Sequence, residues 1–76
     1  AMTKKLITAS WCSPCKMLKG KLAAAKITVD LVDAEEEAQY VKDLGIRSVP
    51  TLVIEDGEEM ELITQYEKIL ENLLGT

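Results

Sequence analysis

Segments with strand character alternate with segments of helical periodicity, and the alternation predicts an α/β fold. The expected order is β-α-β-α-β-β-α, with a mixed four-stranded sheet flanked by three helices. A helix between the first two strands makes those strands parallel, because parallel strands need a long crossover connection. An Asp-Gly dipeptide between the last two strands predicts an antiparallel hairpin.

The first half of the chain predicts two strands and the helix between them. Residues 6–9 are a short, mainly apolar run typical of a buried strand. Residues 13–25 carry Leu18 and Leu22 four positions apart with lysines between them, which indicates an amphipathic helix. Residues 27–32 are rich in β-branched side chains and predict the second strand.

The second half begins with another helix and continues into the hairpin. Residues 35–44 have acidic side chains in the first turn, and Gly45 is placed to end the helix. Residues 51–55 and 58–63 are predicted strands joined by Asp56-Gly57, a dipeptide that supplies the positive φ angles of a tight turn.

A strongly amphipathic helix over residues 66–74 ends the predicted order, and Gly75 stops it. The chain has 76 residues, which is enough for one domain over residues 1–76. A chain of this size buries only about 60% of the surface that it exposes when unfolded. We therefore expect a small core without a large cleft.

Composition excludes several classes of partner. Nine basic residues stand against thirteen acidic ones, for a net charge of −4, and the lysines are scattered. This pattern argues against binding of nucleic acid or anionic lipid. The longest uncharged run, residues 6–15, is about half the length that crosses a bilayer, and the first residues lack the features of a secretory signal. We expect a monomeric cytoplasmic protein.

Two cysteines lie where the first strand meets the first helix, in the segment Trp11-Cys12-Ser13-Pro14-Cys15-Lys16. If Cys12 is the N-cap, its sulfur can accept a hydrogen bond from the N–H of Cys15, and the helix dipole and Lys16 favour a thiolate there. At pH 7 a cysteine of pKa 8.5 is only about 3% thiolate, whereas one lowered to about 7 is half ionised. Cys15 is then the natural resolving thiol, and Pro14 restrains the first turn.

Other uses of the cysteine pair remain open at this point. Both cysteines could be inert and buried, or they could supply half of a zinc site shared by two chains. A static structural disulfide is a poor alternative, because so short a loop removes little unfolded-state entropy. The chain has no histidine, so a Cys-His hydrolase is excluded.

The segment Arg47-Ser48-Val49-Pro50-Thr51 precedes the third strand. Taken alone it predicts a turn, and a cis bond before Pro50 would be the exception. Together, however, the Trp-Cys-x-Pro-Cys-Lys motif, the order of elements and the Val-Pro-Thr step resemble the thioredoxin superfamily over residues 6–74. The resemblance implies a minimal thioredoxin fold in which Pro50 is cis and lies beside the cysteines.

The same resemblance implies a thiol-disulfide oxidoreductase that reduces protein disulfides. Cys12 would attack and Cys15 would resolve, so that the redox-active group is their disulfide and no cofactor or metal is bound. Val49 would offer its backbone to the substrate, with Trp11 and Ser13 on the contact surface. A reductase of the thioredoxin-reductase type would be the electron donor. The alternatives are a glutaredoxin-like enzyme recharged by glutathione and a non-catalytic module of this fold that binds a metal or a partner.

The chain departs from its apparent relatives at particular positions. Ser13 stands where thioredoxins usually have glycine, and Leu6 stands where they place a buried aspartate that accepts a proton from the second cysteine. Gly20 stands where they kink the helix with proline, so we expect a kink or close packing there. The stretch from Ile63 to Glu67 lacks the Gly-Gly and Asp of glutaredoxins, so no glutathione site is expected. Tyr66 fits best as a core residue of the last helix.

Overall fold

The computed structural model describes residues 2–75, and its elements follow the predicted order. They are β1 (Met2–Thr8), α1 (Ser13–Ala24), β2 (Asp30–Asp33), α2 (Ala38–Asp43), β3 (Thr51–Asp56), β4 (Glu59–Ile63) and α3 (Tyr66–Leu74). The strands form one sheet in the order β2-β1-β3-β4. Strands β1 and β2 are parallel, whereas β3 pairs antiparallel with both β1 and β4. The predicted mixed four-stranded sheet with three helices is confirmed.

The core lies on the face of the sheet that α1 and α3 cover. Alternate residues of the two central strands point to this face, and the fully or almost fully buried members of the core are Leu6, Leu18, Leu22, Leu52, Ile54 and Ile69. The intervening residues of the strands face the other way. There Tyr40 of α2 donates a hydrogen bond to Glu55 at 3.2 Å and accepts one from Lys5 at 3.5 Å.

Helix α1 ends in a tight turn, and the second strand therefore begins later in the sequence than predicted. Lys26 has a left-handed φ of 59°, its N–H bonds to the carbonyl of Ala23 at 3.1 Å, and the N–H of Ile27 bonds to that of Leu22 at 2.9 Å. These two bonds form a Schellman motif. The predicted strand over residues 27–32 therefore starts too early: Ile27 completes the helix terminus, and β2 begins at Asp30.

Helix α2 begins later than predicted for a similar reason. The side chain of Asp33 accepts hydrogen bonds from the backbone N–H groups of Glu35 at 2.8 Å and Glu36 at 3.3 Å. A side chain that bonds nearby N–H groups offers the backbone an alternative to the helix. Residues 34–37 consequently form turns, and the helix is shorter than the predicted 35–44.

The hairpin turn is displaced by one residue from the predicted dipeptide. Asp56 still pairs with Glu59 in the ladder, so the two-residue loop is Gly57-Glu58. Gly57 has a φ of 65°, and no positive φ is found at Asp56 or Glu58. The turn thus needs left-handed backbone at one position only, and glycine occupies it.

Gly20 lies on the exposed side of α1. A Cβ atom added there would meet nothing within 4 Å, so the expectation of close packing at this position is wrong. None of the helices within residues 2–75 combines the length and apolar character needed to span a membrane.

Candidate functional site

The two cysteines form a disulfide at the N-terminus of α1. Cys12 is the N-cap residue with extended backbone angles, and its sulfur accepts a hydrogen bond from the backbone N–H of Cys15 at 3.2 Å. Their Cα atoms are 5.3 Å apart. The N-cap geometry predicted from the sequence is confirmed.

The electrostatic setting of the disulfide distinguishes its two sulfurs. Cys12 lies at the positive end of a 12-residue helix whose first turn contains no acidic side chain, so the helix dipole favours negative charge on its sulfur. Lys16 and Pro14, in that first turn, are both exposed. Cys15 is 0% exposed against 4% for Cys12, and ionisation is costlier in a buried apolar setting. Negative charge is therefore better accommodated at Cys12.

The loop before β3 lies against the cysteines. Val49 packs on the cluster formed by Ala9, Cys12 and Cys15, and the peptide bond between Val49 and Pro50 is cis, as the resemblance implies. The hydroxyl of Thr51, which is fully buried, donates a hydrogen bond of 2.7 Å to the carbonyl of Ser48. This bond closes the turn over Val49-Pro50.

An exposed surface surrounds the disulfide. Trp11 is 71% exposed, and Ser13 and Ser48 are also exposed. Trp11, Val49 and residues 46–47 are among those that line a cavity of about 190 Å³. The structure thus brings together all the residues selected from the two motifs.

Part of this cavity escaped the sequence reasoning. Ala34, Val41 and Ile46 line it together with Arg47, although none of these four was selected as a site residue. Ile46 and Arg47 could have been selected from the sequence, because they directly precede the Ser-Val-Pro step. Nothing in the sequence identifies Val41 as a cavity residue, because its place at the cavity depends on how α2 packs.

Two positions singled out by comparison with the family lie in the core of the protein. Leu6 is fully buried in the core face of β1. Tyr66 packs against the same core, as predicted, and its hydroxyl oxygen is buried without a hydrogen-bond partner among the described residues. Within residues 2–75 no three His, Cys, Asp or Glu side chains are grouped so as to hold a metal ion.

Comparisons with known proteins agree with this geometry. The thioredoxin family model matches residues 6–74. Thioredoxin of Chlamydia muridarum is 36% identical over 59 residues, covering 70% of this chain and 58% of that protein. Thioredoxin of Bacillus subtilis is 35% identical over 60 residues, covering 70% and 58%.

Solved structures give the same result. The short form of thioredoxin F from spinach chloroplast superposes with a TM-score of 0.73 at 29% identity, covering 97% of this chain and 74% of that one. Thioredoxin of Malassezia sympodialis superposes with a TM-score of 0.73 at 25% identity, covering 97% and 73%. The chain spans between 22% and 60% of the first curated relatives that it matches. The family match across nearly all of its residues shows that the chain belongs to the thioredoxin family.

Proposed function

We propose that this protein is a thiol-disulfide oxidoreductase that reduces disulfides in protein substrates, with Cys12 as nucleophile and Cys15 as resolving thiol. The observation that carries the proposal is the N-cap sulfur of Cys12, which accepts the Cys15 N–H at 3.2 Å beside the Val49-Pro50 loop. A sulfur in this position is stabilised as the thiolate, which is the form that attacks disulfides.

In the first step the Cys12 thiolate of the dithiol form attacks one sulfur of the substrate disulfide. A bond forms between the Cys12 sulfur and that substrate sulfur, and the substrate's S–S bond breaks. The other substrate sulfur leaves with the electron pair and takes up a proton. Cys12 is the attacking residue because it is the better exposed of the pair and lies at the positive end of α1.

In the second step Cys15 attacks the Cys12 sulfur and displaces the remaining substrate cysteine. Two electrons pass to the substrate, and the protein disulfide is restored. The Cα separation of 5.3 Å is within the usual range for a disulfide, so the bond between Cys12 and Cys15 can form without movement of the backbone. Leu6 supplies no carboxylate, and the proton of Cys15 therefore passes to the departing substrate thiolate or to water.

Reduction of insulin by the protein with dithiothreitol as electron source tests this function. We expect Cys12→Ser to abolish turnover, and reduced Cys15→Ser, mixed with insulin after dithiothreitol has been removed, to stop at a mixed disulfide that is visible by mass spectrometry. Asn72→Ser, on the exposed side of α3, is the matched control and should retain full activity. Wild-type turnover by Cys12→Ser would exclude the mechanism.

The charge state of Cys12 can be measured directly. The rate of alkylation of the reduced protein by iodoacetamide should rise with pH to a midpoint below the ordinary cysteine value of about 8.5. A midpoint at or above that value would show that the helix terminus does not favour the thiolate.

We also propose that a reductase of the thioredoxin-reductase type is the electron donor. The support is the family, together with the sequence from Ile63 to Glu67, which lacks the glutathione-holding residues of glutaredoxins. Recycling of the oxidised protein should therefore be faster with NADPH and a thioredoxin reductase than with reduced glutathione. The reverse order would assign it to the glutathione-coupled enzymes.

A further inference from the structure

We propose that a groove beside the disulfide selects substrate segments in which an acidic side chain lies a few residues from the reacting cysteine, next to an apolar one. This inference rests on the proposed function and names the class of polypeptide that the site prefers. The groove is formed by two adjoining cavities, and four residues, Ala34, Val41, Ile46 and Arg47, line both of them.

The groove runs from the disulfide along the loop that precedes β3. One cavity ends at Trp11 and Val49, and Val49 packs on the cluster that contains both cysteines. The other cavity ends at Lys42 and Gly45. A polypeptide whose cysteine reaches Cys12 can therefore continue along a single surface.

The floor of the groove is apolar. Val41 and Ile46 are half-buried, so each presents part of its side chain to the groove. The cavity at the Trp11 end has a volume of about 190 Å³ and can take one large aliphatic or aromatic side chain. An apolar residue close to the substrate cysteine would bury its surface there.

The charges that line the groove are all positive. Arg47 and Lys42 are exposed, and no carboxylate lines either cavity. The nearby Asp43 accepts a hydrogen bond from Gln39 at 2.8 Å. The single ion pair found within residues 2–75 joins Lys5 and Glu55 elsewhere on the sheet. Both cations of the groove are thus free to pair with a substrate carboxylate.

This local charge opposes that of the whole protein. The chain carries thirteen acidic and nine basic residues, a net charge of −4, so its overall field favours basic peptides. A measured preference for acidic peptides therefore has to come from the groove, because the net charge of the protein would produce the opposite preference. Arg47 lies two positions before Val49, which packs on the cysteine cluster. The acidic residue is accordingly expected about two residues from the cysteine, with Lys42 reinforcing Arg47.

Three synthetic peptides test the inference. Each contains one cysteine joined by a disulfide to 2-mercaptoethanol, one adjacent leucine, and either Glu, Gln or Lys two residues from the cysteine. The fully reduced protein is mixed with each peptide in single-turnover reactions, which are quenched with iodoacetamide and analysed by chromatography. At low ionic strength we expect the second-order rate constant for the Glu peptide to exceed that for the Lys peptide about fivefold.

High salt and charge-reversal variants test whether Arg47 and Lys42 cause the preference for the Glu peptide. The ratio should fall below about twofold in 1 M NaCl, where the Debye length is about 3 Å. The double variant Arg47→Glu/Lys42→Glu should prefer the Lys peptide. The matched control Lys21→Glu/Lys68→Glu makes the same change of charge at exposed positions of α1 and α3, which pack on the other face of the sheet, and should still prefer the Glu peptide.

The outcomes separate this inference from the proposed function. Equal rates for the three peptides, or a preference for the Lys peptide by the wild-type protein, would refute the proposed selectivity of the groove. Neither result would contradict the proposed oxidoreductase function. A reversal in the control variant would also overturn it, because net charge would then explain the preference. Failure to reduce any of the three peptides would overturn the proposed function itself.

Discussion

The hydroxyl of Thr51 holds the loop that faces the disulfide, and its removal offers a test of how that loop serves the site. Thr51 is fully buried and donates to the carbonyl of Ser48 at 2.7 Å, while Val49, between them, packs on the cysteine cluster. Thr51→Val keeps the shape of the side chain and deletes the donor. The substitution therefore removes a hydrogen bond without opening a cavity.

The expected loss of stability is small and can be estimated. A hydrogen bond contributes about 0.5 to 1.5 kcal/mol net, and the acceptor belongs to the exposed Ser48, whose carbonyl can bond to water instead. We expect the free energy of unfolding to fall by about 0.7 kcal/mol, which lowers Tm by about 3 to 6 °C in a domain of this size. If the same energy is lost in the transition state, kcat/KM for insulin falls about threefold.

Urea denaturation and insulin reduction, measured on the same preparations, check the estimate. Thr51→Ser is the matched control: it keeps the hydroxyl and deletes a buried methyl group, which costs about 1 kcal/mol. The control should therefore be at least as destabilised as Thr51→Val and yet retain wild-type kcat/KM. Full activity in Thr51→Val, or equal losses of activity in the two variants, would refute a positioning role for the hydrogen bond.

Three further substitutions test the backbone and the charged cluster. Gly20→Ala should raise the free energy of unfolding by about 1 kcal/mol, because an added Cβ meets nothing within 4 Å; an unchanged urea midpoint would contradict this. Lys26→Gly should stabilise by about 0.5 to 1 kcal/mol, since Lys26 holds a left-handed φ of 59° that glycine adopts freely, and a loss of stability would disprove the reasoning. The hydrogen bond to Tyr40 raises the pKa of Lys5 above its ordinary value of 10.5. The stabilisation from this shift is complete below pH 10.5 and is lost as pH rises through the folded-state pKa. Lys5→Met should therefore flatten the alkaline decline of the urea midpoint, whereas Lys4→Met should leave it unchanged.

Segments with a strong local signal are well predicted from the sequence. Residues 66–74 were predicted as a helix from apolar spacing and a terminal glycine, and α3 has these bounds, with Gly75 at a φ of 74°. The helix predicted from residue 13 likewise begins at Ser13, which makes Cys12 the N-cap residue. In both segments the determining residues are close together in the chain.

Segments set by tertiary contacts are predicted less well. The apolar run predicts a strand from Leu6, whereas β1 begins at Met2, because pairing of Met2 with Asp56 extends the strand through polar residues. Lys5 is accommodated there by Tyr40 and Glu55, which are distant in sequence. The groove was missed for the same reason, since Val41 reaches it through the packing of α2.

The pairing of β1 with β3 has a consequence for synthesis on the ribosome. Ile7 pairs with Thr51, so the centre of the sheet cannot assemble until the third strand has emerged. At about 5 to 20 residues per second, the roughly forty residues that separate the cysteine pair from the end of β3 take about 2 to 8 seconds to translate. During that interval both thiols are accessible to oxidants and to cysteines of other proteins. Cys15 becomes fully buried and Cys12 almost so only when the sheet closes, so the nascent chain exposes two thiols that the folded protein protects.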